Sequence, residues 1–285
     1  MSETPLSPQS VLVTGASTGI GRATVGALVT RGDSVWATVR TDADDDALRA
    51  AHPSVRVLRM DVTDAASVRA AGEEVAAAGP LNGLVNNAGV ALPGPLEYLP
   101  IELLRQQIEV NLIGQLAVTQ AMLPALRAAR EAGASARIVT IGSIGGRIAS
   151  PMLGPYHASK FGLVGLTDTL RAELAPSGID VLLIEPGSIA TPIWGRGTAA
   201  SDRLTEGLPP EASRRYGAQI ASARADAAKA AKRGLPPERV ADAVVAALTE
   251  RRPRPRRLVG RDAHLIAVVA RMPFGLRYRL TAARR

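Results

Sequence analysis

The 285-residue sequence predicts an α/β fold: a single-domain, doubly wound parallel sheet with helices on both faces. Three observations carry this. Short runs rich in β-branched residues recur from residue 9 to residue 187, most of them are apolar at successive positions, and Ala- and Leu-rich segments separate them. Strands that are apolar on both faces need cover on both faces, and intervening helices supply it.

Taken in order, SVLVTG (10–15) reads as a buried strand and residues 20–32 as a helix ended by Gly32. SVWATVR (34–40), a short helix over 45–51, VRVLRMDV (55–62) and a helix over 64–78 follow. NGLVNNAG (82–89) is the next strand, then a long helical stretch over 100–131, ARIVTIGS (136–143), a helix over 156–176 and IDVLLIEPG (179–187). The alternation then stops. Residues 188–236, with Gly195, Gly197, Gly207, Pro209, Pro210 and an Ala-rich amphipathic stretch over 211–233, are expected to form a substrate lid. A helix over 237–250 and a short strand at 257–259 complete a domain over 9–260, with a disordered lead-in at 1–8 and a basic tail at 261–285.

Charge is unevenly placed. Residues 251–285 hold eleven arginines and one acid, a net of +10, which leaves residues 1–250 at −2 of the chain's +8. The basicity therefore belongs to the tail rather than to a nucleic-acid face, and no nucleic-acid partner is expected. The chain has no cysteine, no signal-peptide pattern at its start and no apolar run of membrane-spanning length, which fits a cytoplasmic protein. No metal site is expected.

Two motifs carry chemistry. In VLVTGASTGIGRAT, Gly15, Gly19 and Gly21 fall where the first strand meets the first helix. Exposed N–H groups and the positive helix end favour phosphate there, and glycines admit it without Cβ collisions. In PYHASKFG (155–162), one of only four tyrosines precedes one of only three lysines by four residues. On a helix that spacing puts both on one face, Cβ atoms about 5–6 Å apart. A phenol of ordinary pKa near 10 is a poor base at neutral pH, and a neighbouring cation lowers that pKa.

Thr14 to Gly21 (Thr-Gly-x-x-x-Gly-x-Gly) resembles the signature of the short-chain dehydrogenase/reductase family, in its compact non-extended branch. The resemblance covers about residues 9–194 and implies a Rossmann-type fold and hydride transfer between a nicotinamide cofactor and a carbonyl or alcohol. It implies a cofactor site of Gly15, Ser17, Thr18, Gly19, Ile20 and Gly21 at the phosphates, Asp61 and Val62 at the adenine, and Asn87, Ala88 and Gly89 of the Asn86–Gly89 motif. Pro186, Gly187, Ile189 and Thr191 would hold the nicotinamide, with Tyr156 and Lys160 beside it. Asn111, Ser143, Tyr156 and Lys160 match the family's catalytic tetrad. By that likeness Tyr156 exchanges a proton with the substrate oxygen, Lys160 supplies the cation and binds ribose, Ser143 hydrogen-bonds the substrate, and Asn111 holds a relay water. His157 is read as structural or pocket-lining, because adjacent helical side chains diverge by about 100°.

The family's cofactor-selecting acid falls at Val39, and Arg40 follows it. A guanidinium suits a 2′-phosphate, so NADP(H) is expected in preference to NAD(H), although the position before the second glycine, often basic in NADP enzymes, is Thr18. Ser143, Ile144, Met152, Leu153 and Trp194 are expected in an apolar substrate pocket for a lipophilic secondary alcohol or ketone, such as a steroid, a retinoid or an aliphatic ketone. Arg147, Arg196 and Arg203 could instead serve an anionic group, and the alternatives are a 3-oxoacyl-thioester reductase and a non-catalytic NADP-sensing protein. The tail loosely resembles the retinol and hydroxysteroid dehydrogenase group. It raises a weak membrane-surface contact, with Leu265–Met272 as an amphipathic helix, and the branch implies a homodimer or homotetramer.

Overall fold

A computed structural model describes residues 8–282. Strands β1 (Ser10–Val13), β2 (Ser34–Val39), β3 (Arg56–Arg59), β4 (Gly83–Asn86), β5 (Ala136–Ile141), β6 (Ile179–Pro186) and β7 (Arg256–Val259) form one parallel sheet in the order β3-β2-β1-β4-β5-β6-β7. The chain moves outward from β1 to β3, then returns to place β4 on the other side of β1. The crevice between the carboxyl ends of β1 and β4 is thus a topological switch point, where open α/β sheets bind ligands.

Strand residues alternate between two cores, as a pleat requires. Val11, Val13, Val85, Val139 and Ile184 face α1 (Gly19–Thr30) and α9 (Glu238–Thr249) through Val25, Leu28, Val240 and Val244. Leu12, Trp36, Leu84, Ile138 and Val181 face α3 (Ala65–Ala78) and α5 (Gly114–Glu131) through Val68, Val75, Val118, Met122 and Leu126. Helix starts follow local chemistry. Thr41 Oγ1 accepts from Asp44 N at the start of α2 (Asp42–Ala51), and Asp64 Oδ1 accepts from Ala66 N at the start of α3.

The stretch expected as one helix over 100–131 is α4 (Ile101–Ile108) and α5 joined by a π-helical turn at Glu109–Ile113, which carries Asn111. Helix α6 (Gly154–Leu174) starts with Pro155 in its first turn, where a missing N–H costs nothing. The segment 188–236 is more regular than its glycines suggest, consisting of α7 (Ile193–Glu206) and α8 (Pro210–Arg233). Gly195 and Gly197 both lie inside α7; an added Cβ on Gly197 would stand 3.1 Å from Ala91 O, whereas nothing stands within 4 Å of one on Gly195. The tail also differs from expectation. Helix α10 (Arg261–Ala270) ends before Met272 and buries Ala263 and Ala267 while Leu265 and Val268 stay exposed, and α11 (Phe274–Ala282) follows. The expected lead-in lies, through residue 7, outside the described residues, as do Arg284 and Arg285. Among the described residues no helix is long and apolar enough to cross a membrane.

Arg147 is not available to a substrate anion. Its Nε donates to Glu185 Oε1 at 2.7 Å, and Arg256 Nη2 donates to the same atom at 2.7 Å, so two guanidiniums converge on a carboxylate with no exposed surface. A buried carboxylate must be paired, and position 185 on β6 is buried. Burial alone would push the Glu185 pKa up, yet the hydrogen bonds and charges of Arg147 and Arg256 outweigh it and the pKa is lowered. Its contribution to stability is therefore full above its ordinary value of 4.5 and is lost as pH falls through the lower native value. Glu185→Gln should destabilise the protein by about 3 kcal/mol at neutral pH in urea unfolding, the low end for a broken buried pair because both arginines keep solvent contact. That difference should shrink in acid.

Candidate active site

The residues that open the switch-point crevice follow β1. The Thr14 side chain, fully enclosed, accepts from Asn87 N at 2.9 Å and Ala88 N at 3.0 Å. Asn87 Nδ2 returns bonds to Thr14 O at 2.8 Å and Gly15 O at 3.1 Å. These bonds hold the ends of β1 and β4 against each other and shape the glycine turn. Gly15 and Gly19 have φ of +63° and +56°, which L side chains rarely adopt. Gly21 has no room for a side chain: a Cβ would stand 2.3 Å from Gly15 O and 2.6 Å from Asn87 Nδ2. Helix α1 therefore starts directly at the turn, with its first N–H groups unsatisfied within the helix.

A cleft of about 350 Å³ lies above this turn. At one end Gly15, Ser17, Thr18, Gly19 and Ile20 line it, with Gly21 supporting them from behind. Arg40, Asp61 and Val62 line the side nearest β2 and β3. Burial pushes the Asp61 pKa up, but bonds from Thr63 N (2.9 Å) and Thr63 Oγ1 (2.7 Å), with the Arg40 charge, lower it overall, so Asp61 is ionised at neutral pH. Asn87, Ala88 and Gly89 line the floor, and Pro186, Gly187, Ile189, Thr191 and Trp194 line the far wall.

The cluster expected from the Tyr-x-x-x-Lys spacing also reaches this cleft. Asn111, Ser143, Tyr156 and Lys160 all line it, although they come from the π turn, the end of β5 and α6. Lys160 Nζ donates to Ile141 O at 2.8 Å and lies 5.8 Å from the Tyr156 ring centroid. Burial lowers its pKa to about 8. The phenol pKa was expected to be lowered by Lys160 together with an oxidised nicotinamide, and in the chain alone its shift runs the other way. Burial pushes the Tyr156 pKa up and the hydrogen bond with Ser143 only partly offsets it, so the hydroxyl keeps its proton at neutral pH. Asn111 has its amide occupied, with Oδ1 accepting from Val90 N at 2.9 Å and Nδ2 donating to Val90 O at 3.0 Å and Ser159 Oγ at 3.1 Å.

His157 is a clasp. Ser150 N donates to Nε2 at 3.0 Å, so that nitrogen carries no proton and Nδ1 donates to Gly145 O at 2.8 Å. Burial lowers its pKa, which keeps the ring neutral and the loop after Ser143 closed. Of the expected substrate-pocket residues, Ser143 and Trp194 line the cleft, whereas Ile144, Met152 and Leu153 do not. The reason for Met152 is local: it is the one non-glycine residue at positive φ among the described residues, its side chain is buried, and its carbonyl accepts from Gly94 N at 2.8 Å.

One supporting residue escaped the sequence reading. Asp262, in the first turn of α10, accepts from Ser188 N at 2.7 Å, and the absence of side chains at Gly187 and Gly260 leaves space for its carboxylate. With Gly187 N bonded to Val259 O and Trp194 Nε1 to Ile189 O, this fixes the far wall from the tail side. The signal available was slight, a glycine two residues before an acid and 74 residues from its partner.

The cleft fits a dinucleotide on its own chemistry. Its glycine cradle would be filled by Cβ atoms, helical N–H groups begin beside it, and Arg40, Arg196, Arg203 and Lys160 face a single acid, Asp61. Its position and its Tyr-Lys-Ser corner define an oxidoreductase of nicotinamide type. The short chain dehydrogenase family model matches residues 9–201, and the chain belongs to that family. It is 37% identical over 252 residues, 87% of each chain, to the NADPH-dependent 3-dehydrocapnine reductase of Ornithobacterium rhinotracheale. It is 34% identical to 11-beta-hydroxysteroid dehydrogenase type 2 of Oryctolagus cuniculus, over 96% of this chain and 70% of the other. A short chain dehydrogenase from Burkholderia cenocepacia in complex with NADP superimposes with a TM-score of 0.73 at 28% identity, over 96% and 97% of the two chains. The protein is thus an enzyme acting between CH–OH or carbonyl groups and a nicotinamide cofactor.

Gly21→Ala should displace the glycine turn, because both atoms its Cβ meets are held in the hydrogen bonds that join β1 to β4. The expected cost is about 1–3 kcal/mol of stability, with cofactor affinity reduced by roughly tenfold or more if one charge-assisted phosphate contact is lost. Thermal unfolding and fluorescence titration with NADPH measure the two.

Proposed function

We propose that this is a cytoplasmic, NADPH-preferring reductase of lipophilic ketones, working also as the dehydrogenase of the matching secondary alcohols. The observation that carries the reading is the convergence of Ser143, Tyr156 and Lys160 on a cleft whose remaining walls include Val90, Ala91, Leu92, Ile193 and Trp194. Bound NADPH supplies the hydride for such a reaction. The residues that would hold it are the glycine turn, Arg40, Asp61, Val62, Asn87–Gly89, Lys160 and the Pro186–Thr191 loop.

In this reading Ser143 donates a hydrogen bond to the substrate carbonyl, and Tyr156, kept protonated by burial, gives its proton to the same oxygen as charge develops there. Lys160, positively charged below its pKa of about 8, supports the phenolate left behind. Asn111 would hold the water that links Lys160 to solvent, while its side chain secures Val90 and Ser159 around the corner. Arg40 and the absence of an acid at Val39 support NADP(H), as does the cationic lining of the cleft. The hydroxysteroid and 3-dehydrocapnine relatives support a lipophilic carbonyl substrate.

The acyl-thioester alternative loses Arg147 to Glu185 and retains only Arg196 and Arg203 at the cleft. Exposed Leu96, Ile101, Ile113 and Phe161, and on the tail Leu265, Val268, Phe274 and Leu276, support self-association as a homodimer or homotetramer. The same tail patch, with its arginines, supports a weak contact with an anionic membrane surface.

Oxidation of NADPH and NADH, followed side by side with steroid, retinoid, aliphatic ketone and acyl-thioester substrates, tests the reading. NADPH should give the higher kcat/KM, on an apolar ketone. Tyr156→Phe should lower kcat by at least about a hundredfold while leaving NADPH affinity within a few-fold. A variant that keeps most of its kcat, or a wild-type preference for NADH, would remove the corresponding part of the proposal.

A further inference from the structure

We propose that Arg196, carried on the lid helix α7, is the cation that closes the dinucleotide cleft by binding a phosphate oxygen of the cofactor over the start of α1. The inference rests on the reading that this cleft holds a nicotinamide dinucleotide, and it adds a phosphate ligand from outside the glycine turn.

Arg196 Nη2 donates to Thr18 Oγ1 at 3.3 Å, joining the lid to the glycine turn across 178 residues of sequence. Both residues line the cleft. Thr18 is the N-cap of α1, yet its side chain makes no capping bond and the first turn of α1 holds no acid. The N–H groups there thus lack both of the acceptors that helix starts ordinarily supply from their own sequence. What the corner lacks is an anion, and a guanidinium already stands beside it.

The lid leaves that guanidinium uncommitted. Arg215 pairs with Glu97 and Glu211, and Arg224 pairs with Asp202, so acids near the lid serve arginines away from the cleft. Among the described residues neither Arg196 nor Arg203 has a carboxylate within ion-pair distance. Arg196 is exposed, so binding an anion does not first break a salt bridge, and a covering phosphate would turn a weak neutral bond to Thr18 into a charge-assisted one. Helix α7 is itself held to the far wall by Trp194 Nε1 on Ile189 O at 2.7 Å. Phosphate bridging Arg196 to α1 would therefore tie together the lid, the far wall and the glycine turn.

Two phosphate groups have this chemistry, the pyrophosphate and the 2′-phosphate, and the two cofactors separate them. Without substrate, NADPH and NADH are each titrated into the wild type, Arg196→Ala and Arg196→Lys, following quenching of protein fluorescence. Arg196→Ala should weaken binding about tenfold to a hundredfold, and Arg196→Lys should recover part of the loss. Equal weakening for both cofactors assigns the contact to pyrophosphate, and weakening confined to NADPH assigns it to the 2′-phosphate. Limited proteolysis gives a second readout, since NADPH should slow cleavage between residues 193 and 233 in the wild type and do so less in Arg196→Ala. The ligand-free variant should melt within about 2 °C of wild type, as expected for an exposed side chain. Cofactor affinities within twofold of wild type, or a change only in the KM of an anionic substrate, would overturn the proposal. A wild type that prefers NADH would refute the NADP reading and still leave the Arg196 effect measurable on NADH.

Discussion

The Thr14 side chain is the interaction on which the site depends. One hydroxyl accepts from two successive backbone N–H groups, Asn87 and Ala88, at the point where the sheet changes direction. Those groups lie beyond the last paired residues of β1 and β4, Val13 and Val85, and buried N–H groups left without acceptors would destabilise the crevice. Satisfying them at a fixed separation sets the width of the opening. The Asn87 side chain then spends its own donors on Thr14 O and Gly15 O, which places the glycine turn and the first N–H groups of α1. The phosphate end and the sheet are thus one hydrogen-bonded unit.

Charge placement separates structure from chemistry. Glu185 is wholly buried and takes two arginines, and Arg137, nearly buried on β5, spends its guanidinium on Ala247 O and Glu250 O at the end of α9. These groups are committed, and binding a ligand with them would mean breaking paired charges in a low-dielectric setting. In the cleft the balance differs. Lys160 is buried with a carbonyl as its acceptor and no carboxylate, and its pKa falls to about 8. Arg40, Arg196 and Arg203 outnumber Asp61. An incompletely neutralised positive cleft is costly for an isolated fold and suits a polyanionic ligand.

Support for the far wall comes from segments distant in sequence. Gly187, Ser188 and Ile189 are held by Val259 from β7, Asp262 from α10, Leu235 after α8 and Trp194 from α7. Both the segment 188–236 and the tail therefore contact the same short loop. The family match ends at residue 201, and Leu235, Val259 and Asp262 lie beyond it.

Sequence alone determined the strand and helix order, the glycine turn and the Tyr156–Lys160 pair, because each rests on local physics: periodicity, φ freedom and i,i+4 spacing. It also placed Ser143 and Asn111, through likeness to a family. Tertiary structure decided the rest. Arg147 looked like a site cation until Glu185, 38 residues away, claimed it. Met152, expected as a pocket wall, is buried at a positive-φ position and does not line the cleft. Tyr156 was expected to have its pKa lowered by Lys160 together with an oxidised nicotinamide; in the chain alone burial raises it, and burial is a property of everything packed around a group. Asp262 and Arg196 act across 74 and 178 residues. Contacts at such separations leave no periodic trace, since the fold rather than the spacing brings the partners together.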